Sequence, residues 1–232
     1  MTMFKIRKKY PFTFKDKLTT DFGLSMAALR EPAQLAGVLQ VLPLLGVQQA
    51  VVAAPPDIDT AELPALPTVA GLSTTLLPTY WLDESLEAYV RQHPLDHYDK
   101  FVLFTLRDWA AVGRLKGALF EVRSRGYTPV ILHHEPKAFA KVKPPAVGYL
   151  VDLGCLFQLN VSTLAGKHGK AAKAHAEALL AAGHFHLITT GIRSPQDTTE
   201  LTTVSVGTNL LPVLDQVIAK HAGRTAQAKS SI

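Results

Sequence analysis

The feature that most constrains the fold is a regular alternation of short apolar runs and longer amphipathic segments. Four runs are rich in β-branched and aromatic residues, namely FVLFT (101–105), PVIL (129–132), LFQLNV (156–161) and HLITT (186–190). Such runs favour buried strands. Helical patterns separate them, and glycine follows three of these patterns, at Gly126, Gly154 and Gly183. Alternating strands and helices predict an α/β fold with a parallel sheet.

The rest of the chain continues this alternation. We expect strands over 47–54 and 76–82, an irregular loop over 55–75, and helices over 31–45, 83–92, 112–124, 145–153, 167–182 and 208–221. No internal repeat or linker interrupts the pattern. We therefore predict one domain over 1–221, which includes a basic lead-in over 1–20, and a disordered tail over 222–232.

Composition narrows the functional class. A 232-residue chain with 47% hydrophobic and 19% charged residues suits one globular domain. The single Cys155 excludes an internal disulfide framework and favours the reducing cytoplasm. Since no apolar run reaches the roughly 18 residues that a spanning helix needs, we do not expect a transmembrane protein.

The net charge of +5 comes largely from the two ends of the chain. Between them there is no basic stripe interleaved with aromatic residues, so we do not expect a nucleic-acid partner. A nucleic-acid or membrane-surface binder that acts through the basic arm 1–17 stays as a third hypothesis. It predicts binding that is lost when the arm is deleted and that weakens steeply with salt.

Polar residues follow three of the predicted strands. They are His133-His134-Glu135, Asn160-Val161-Ser162-Thr163 and Thr189-Thr190-Gly191-Ile192-Arg193. The carboxyl ends of parallel strands are where ligands and catalytic groups gather. Only the first group has residues typical of metal or acid/base chemistry, with one histidine as ligand or base and Glu135 to orient it. His184 and His186 share one strand face but precede their strand, so we interpret them as surface residues.

Three longer motifs carry a family resemblance. They are G-Y-x-P-V-x-x-H-x-E at 126–135, D-x-G-x-x-F-Q-L-N at 152–160, and A-E-x-L-L-x-x-G at 176–183. In order and spacing they resemble the PHP-type protein tyrosine phosphatases of bacterial capsule and exopolysaccharide loci, the CpsB/CapC/YwqE group. The resemblance implies a distorted TIM-like (β/α)7 barrel. It also implies divalent metals, usually manganese, that activate water to attack a phosphotyrosine at the strand ends.

This sequence departs from the family pattern at most of the metal positions. Gly23 and Ser25 stand where the resemblance places the two histidines of D-x-H-x-H, after Asp21. Other ligand positions carry Pro56, Thr79, Thr105, Gly191 and Arg193, and Pro136 replaces a phosphate-binding arginine. His133 is then the one metal ligand retained, with Glu135 beside it. Glycine, serine, proline and threonine supply neither the charge nor the imidazole groups that a polynuclear site requires.

The leading hypothesis is therefore a catalytically inactive phosphatase-like protein without metal, in which His133 and Glu135 are vestigial. It would act as a scaffold or regulatory module near a tyrosine kinase or a polysaccharide-export component. Arg193, with His133 and His134, would bind an anion. The alternative is an active metal-dependent phosphohydrolase with manganese or another divalent metal at His133, His134 and Glu135, with Asp57 as a further group.

Overall fold

The computed structural model describes residues 9–25, 32–56, 58–63, 65–132, 139–198 and 204–229. The strands are β1 Lys9–Phe12, β2 Thr20–Ser25, β3 Gln49–Ala53, β4 Ser73–Leu77, β5 Thr79–Trp81, β6 Phe101–Thr105, β7 Thr128–Ile131, β8 Leu156–Asn160, β9 Leu187–Thr189 and β10 Val204–Gly207. The α-helices are α1 Pro32–Val41, α2 Leu86–Gln92, α3 Lys116–Ser124, α4 Pro144–Asp152, α5 Val161–Ala165, α6 Lys170–Ala181 and α7 Leu211–Lys229.

The central strands form two parallel sheets, in the orders β2-β3-β4 and β5-β6-β7-β8-β9. The predicted strand 76–82 is corrected here, because Pro78 divides it into β4 and β5. Proline has no N–H to donate to a ladder, so pairing ends there and resumes on the other side. β4 pairs with β3 while β5 pairs with β6. The α/β class with parallel strands is confirmed. The described central strands form two parallel sheets of three and five strands, and no backbone ladder among them closes the predicted (β/α)7 barrel.

Side chains join the other edges of the two sheets, where β9 lies beside β2. The imidazole of His221 on α7 accepts a hydrogen bond at Nδ1 from the Ile188 N–H, at 3.2 Å. Because Nδ1 is an acceptor, Nε2 carries the proton and donates to the carbonyl of Thr20, at 2.8 Å. One imidazole thus connects the backbones of the two strands. Among the described residues no backbone ladder joins β9 to β2.

The strands alternate between two apolar clusters, as expected when both faces of a parallel sheet are buried. Leu103 and Val51 belong to an inner cluster, whereas their neighbours Phe104 and Val52 belong to an outer one under the helices. The inner cluster consists of Phe22, Val51, Ala53, Leu77, Tyr98, Phe101, Leu103, Val130, Leu132, Leu156 and Leu187. Phe22 packs edge-on against Tyr98 and Phe101, with ring centroids 6.2 and 5.5 Å away.

Several element boundaries differ from the predicted ones. The strand predicted over 156–161 ends at Asn160, whose side chain accepts from the Thr163 N–H at 3.0 Å and caps the short helix α5. The following helix begins at Lys170 because Gly169 has a left-handed φ of 93°. The last helix continues past His221 to Lys229, and Thr225 in that extension is buried and bonds the His221 carbonyl.

The lead-in and the residues before α7 form a small antiparallel ribbon. β1 pairs with β10 from Lys9↔Gly207 to Phe12↔Val204. Phe12 and Phe14 are buried in the outer cluster, with their rings edge to face at 5.1 Å. Part of the predicted basic lead-in is therefore structured and packed against the domain.

Candidate functional site

A small pocket lies at the carboxyl ends of β2, β7, β8 and β9. Its lining residues are Gly23, Ser25, Leu132, Gln158, Asn160, Thr189, Gly191, Ile192 and Arg193. The cavity volume is about 20 Å³, which is room for one or two water molecules. The sequence placed candidate sites at these strand ends, and the structure brings together two of the three predicted groups, those after β8 and β9.

Gly23 forms one wall of the pocket through a distorted stretch of β2. The register between β2 and β3 shifts between Phe22 and Leu24, and Gly23 has φ of 82°. A Cβ on Gly23 would lie 2.7 Å from Nε2 of Gln158 and 3.0 Å from Cδ2 of Leu132. The Gln158 amide donates to the Phe22 carbonyl and, at 3.3 Å, to the Gly23 carbonyl. These carbonyls satisfy the Gln158 amide, and a side chain at position 23 would have to adopt a strained φ and move the ends of Gln158 and Leu132.

Asp21 is fully buried beneath the pocket and connects β2 to the end of β9. Its Oδ1 accepts from the Thr189 hydroxyl at 2.6 Å and from the Thr190 N–H at 3.2 Å. Its Oδ2 accepts from the hydroxyl and the N–H of Thr190. Burial raises the pKa of Asp21, and these hydrogen bonds partly oppose that rise. The carboxylate therefore acts as a structural connection between strands, with both oxygens occupied.

The turn after β9 is fixed by side chains that follow β8. The Ser162 hydroxyl lies 3.0 Å from the carbonyl of Thr190 and 3.1 Å from that of Gly191. A Cβ on Gly191 would overlap the side-chain amide of Asn160. Gly191 stands where the resemblance places an aspartate, and a carboxylate there would displace Asn160 and disrupt the cap of α5. Sequence reasoning did not identify this constraint, although the Q-L-N motif marked both Gln158 and Asn160.

Arg193 is exposed at the mouth of the pocket, and its backbone is firmly held. Its N–H donates to Oδ2 of Asp197 at 3.0 Å, and its carbonyl accepts from the Gln34 amide at 3.0 Å. Asp197 also pairs with Lys167, whose Nζ lies 2.8 Å from Oδ1. These contacts, together with burial that opposes them, leave the pKa of Asp197 below its usual value. The strand-end turn thus presents Arg193 from a defined backbone position.

Thr79 and Thr105, which stand at acidic positions of the family pattern, are both buried. Thr105 pairs in register with Trp81, and Thr79 pairs with Leu103 of the inner cluster. Neither belongs to the lining of the pocket. The Thr79 hydroxyl is buried and has no hydrogen-bond partner among the described residues. The structure therefore places neither position in the described wall of this pocket.

The predicted residues His133, His134, Glu135, Pro136 and Asp57 lie outside the described residues. Within the described residues, no group of three or more histidine, cysteine, aspartate or glutamate side chains converges to hold a metal ion. The side chains described at the family's ligand positions do not fit a divalent metal, since they are neutral or, at Arg193, positively charged. His184 and His186 lie at the other end of β9, away from the pocket.

A comparison with models of known protein families shows which family the chain resembles. Residues 87–200 match the model of the CpsB/CapC family, described as capsular polysaccharide synthesis. Over this segment, just under half of its length, the chain is similar to the CpsB/CapC family. This match contains all three motifs above in full and runs from α2 to beyond the turn after β9, so the predicted resemblance is confirmed.

A solved structure shows the same fold. It comes from a study of YwqE from Bacillus subtilis and CpsB from Streptococcus pneumoniae, described as unique metal-dependent tyrosine phosphatases. The similarity has a TM-score of 0.60 at 16% identity and covers 84% of this chain and 86% of the other. No curated protein sequence matches significantly. None of the described helices is both long and apolar enough to span a membrane.

Proposed function

We propose that this CpsB/CapC-like protein is a non-catalytic binding protein whose strand-end pocket recognises an anion without hydrolysing it. The observation that carries the proposal is the pocket wall at Gly23. A left-handed glycine and the Gln158 amide occupy the space where the family pattern requires a histidine. A water-activating metal cluster needs several imidazoles and carboxylates around one cavity, and this wall supplies neither.

Arg193 gives the pocket its binding chemistry in this proposal. Its guanidinium can form two parallel hydrogen bonds to a phosphate or carboxylate, which is the geometry that favours arginine at anion sites. Asn160 and Ser25 line the same pocket and add neutral polar groups. His133 and His134 would supply further donors after β7. The cavity of about 20 Å³ has room for only one or two water molecules, so the anion would bind at its mouth beside the exposed Arg193, as the phosphorylated or carboxylated end of a larger ligand.

The cellular role follows from the family description. Because the matching family model is described as capsular polysaccharide synthesis, the proposed role is that of a scaffold or regulatory module in this process. A tyrosine kinase or a polysaccharide-export component would be the partner. The proposed place of action is the cytoplasm.

Metal content and turnover of the purified protein test the loss of catalysis. After incubation with manganese and removal of excess metal, we expect far less than one metal per chain by elemental analysis. We also expect no hydrolysis of p-nitrophenyl phosphate or a phosphotyrosine peptide above the blank. Stoichiometric manganese with turnover that His133→Ala abolishes would instead establish the active phosphohydrolase that uses His133, His134 and Glu135.

Binding of phosphotyrosine tests the retained pocket. Arg193→Ala should weaken binding about tenfold, because one charge-assisted bidentate contact contributes about 1.5–3 kcal/mol, less what solvent exposure removes. Arg125→Ala is the matched control, since Arg125 follows α3 and bonds the Arg91 carbonyl. Equal affinity for the wild type and Arg193→Ala in calorimetric titration would exclude Arg193 as the anion-binding residue.

A further inference from the structure

Four basic side chains meet at the amino end of β9, on the opposite side of the domain from the pocket. His184 and His186 precede β9, and Lys220 and Arg224 lie one turn apart on α7. α7 is held against β9 by His221, whose ring bonds the Ile188 N–H. Lys220 and Arg224 lie within one turn of His221 on α7, and His186 lies two residues before Ile188, so this contact brings the helix segment 220–224 close to the start of β9. We call His184, His186, Lys220 and Arg224 the basal cluster.

The basal cluster has no acidic partner among the described residues. Neither Lys220 nor Arg224 has a carboxylate oxygen within 4.0 Å, and the same holds for the two histidines. Asp152 at the end of α4 and Asp215 on α7 make no ion pair with it. Elsewhere on the surface, Arg91 and Arg125 share Glu121, and Arg114 pairs with Glu84. The positive charge of this cluster is thus uncompensated within the described part of the chain.

The positive charge of the cluster affects the pKa of His186. Its Nδ1 accepts from the Phe157 N–H at 3.4 Å, which assigns the ring proton to Nε2. The pKa of His186 is lowered to about 4, mainly by burial and then by the charges of Arg224, Lys220 and His184, while a contact with the His184 backbone opposes the shift. No acidic group is among these influences. His186 is therefore a neutral hydrogen-bond donor beside two permanent cations.

His184 extends the cluster toward the neighbouring helix. Its imidazole lies over Gly148 of α4, with Cε1 3.6 Å from the place that a Cβ would occupy. The cluster therefore combines side chains from the loop between α6 and β9 with two from α7, all held by packed elements. Fixed cations with imidazole donors form a surface that suits a compact, doubly charged oxyanion.

We propose that the basal cluster is a second binding site, for a phosphate group, at the end of the domain opposite the pocket. Lys220 and Arg224 match the two charges of a phosphate dianion, and His186 and His184 add directed N–H donors. An acidic carboxylate chain satisfies this arrangement less well, because it brings one charge per group. The phosphate would be free in solution or attached to a protein side chain.

Histidine NMR titration in the full-length protein tests this site with inorganic phosphate as the probe. At about pH 7.5 and constant ionic strength, where inorganic phosphate is mostly the dianion, replacing chloride with phosphate should shift the ring resonances of His186, because the anion accepts a hydrogen bond from its N–H group. The ring resonances of His221 should stay unchanged, since that ring is buried between β2 and β9. Lys220→Ala and Arg224→Ala should each reduce the phosphate-induced shift at least threefold, whereas Lys170→Ala, at the start of α6, should not.

Identical His186 ring resonances in chloride and in phosphate would overturn the proposal, as would a phosphate shift that persists in the Lys220→Ala/Arg224→Ala double variant. A phosphoserine peptide that produces the same shift at a tenfold lower concentration would identify a protein-borne phosphate, and equal potency would identify the free ion. Arg193→Ala should leave the His186 shift intact. The proposed phosphate site at the basal cluster and the proposed anion site at the strand-end pocket can therefore be tested independently.

Discussion

The inner faces of the sheets differ between their two ends. The amino ends and the middle of the strands carry the aromatic and aliphatic packing of Phe22, Phe101, Leu103 and Leu156. Toward the carboxyl ends of β6, β8 and β9 the inner positions carry hydroxyls and an amide, namely Thr105, Gln158 and Thr189. Apolar burial is the main favourable term in folding, so the apolar packing maintains the fold. The polar strand ends can differ between proteins without loss of the architecture, which fits a fold shared with the CpsB structure at 16% identity.

The largest effect that would sharpen this contrast is expected at Phe22. Phe22→Ala removes a fully buried ring that contacts two aromatic neighbours, so it should lower the free energy of unfolding by about 3–5 kcal/mol. The measurement is chemical denaturation followed by circular dichroism. Thr105→Val, at the polar end, is the control and should change stability by less than about 1 kcal/mol. Similar losses of stability for both variants would contradict the view that the apolar packing, and not the polar strand ends, maintains the fold.

Acid should weaken the connection between β9 and β2 and so lower the free energy of unfolding. His221 has a pKa lowered from 6.5 to about 4, mainly by burial, so the folded protein binds fewer protons than the unfolded chain in this range. The stabilisation is complete above pH 6.5 and is lost as pH falls toward 4. The loss should amount to about 3 kcal/mol, at about 1.4 kcal/mol for each pH unit.

Denaturation at a series of pH values measures this loss. In His221→Gln the dependence between pH 6.5 and 4 should become markedly shallower. His186, whose pKa is also lowered to about 4, accounts for the slope that stays. If the slope of unfolding free energy against pH is unchanged in His221→Gln, protonation of His221 is not the cause of the acid destabilisation.

The smallest expected effects concern two buried threonines, Thr189 at the carboxyl end of β9 and Thr79 at the amino end of β5. Thr189→Val removes a donor to the buried carboxylate of Asp21 and should cost about 1–3 kcal/mol. Thr79→Val removes a hydroxyl with no partner among the described residues, so it should be neutral or stabilise by up to about 1 kcal/mol. Thermal unfolding of the two variants in parallel gives the comparison. Destabilisation by Thr79→Val as large as that by Thr189→Val would show that the Thr79 hydroxyl has a partner.

The sequence predicted the strands better than the links between them. β3, β6, β7, β8 and β9 follow from apolar runs, since the strand signal is local. The bonds from Asp21 to Thr189 and Thr190 join residues about 170 positions apart. No periodicity reveals such a contact, and the same is true of His221 between Thr20 and Ile188. The division at Pro78 could have been predicted, because a proline inside a strand run argues against uninterrupted pairing.

The candidate site was predictable in place but not in detail. Residues after β8 and β9 do line one pocket, as the strand-end rule requires. What the sequence could not give is the crowding of Gly23 by Gln158 and of Gly191 by Asn160. Those contacts depend on the packing of β8 between its neighbours.

The bulge at Gly23 also bears on how the pocket could be redesigned. A histidine at that position would have to adopt a φ that side-chain-bearing residues rarely tolerate, and it would have to move the ends of the Gln158 and Leu132 side chains. The strain lies in the backbone of β2, where the register with β3 shifts, so changes to the neighbouring side chains alone would not relieve it. A redesigned pocket that keeps Gly23 and varies Ser25 or Arg193 avoids this cost in stability.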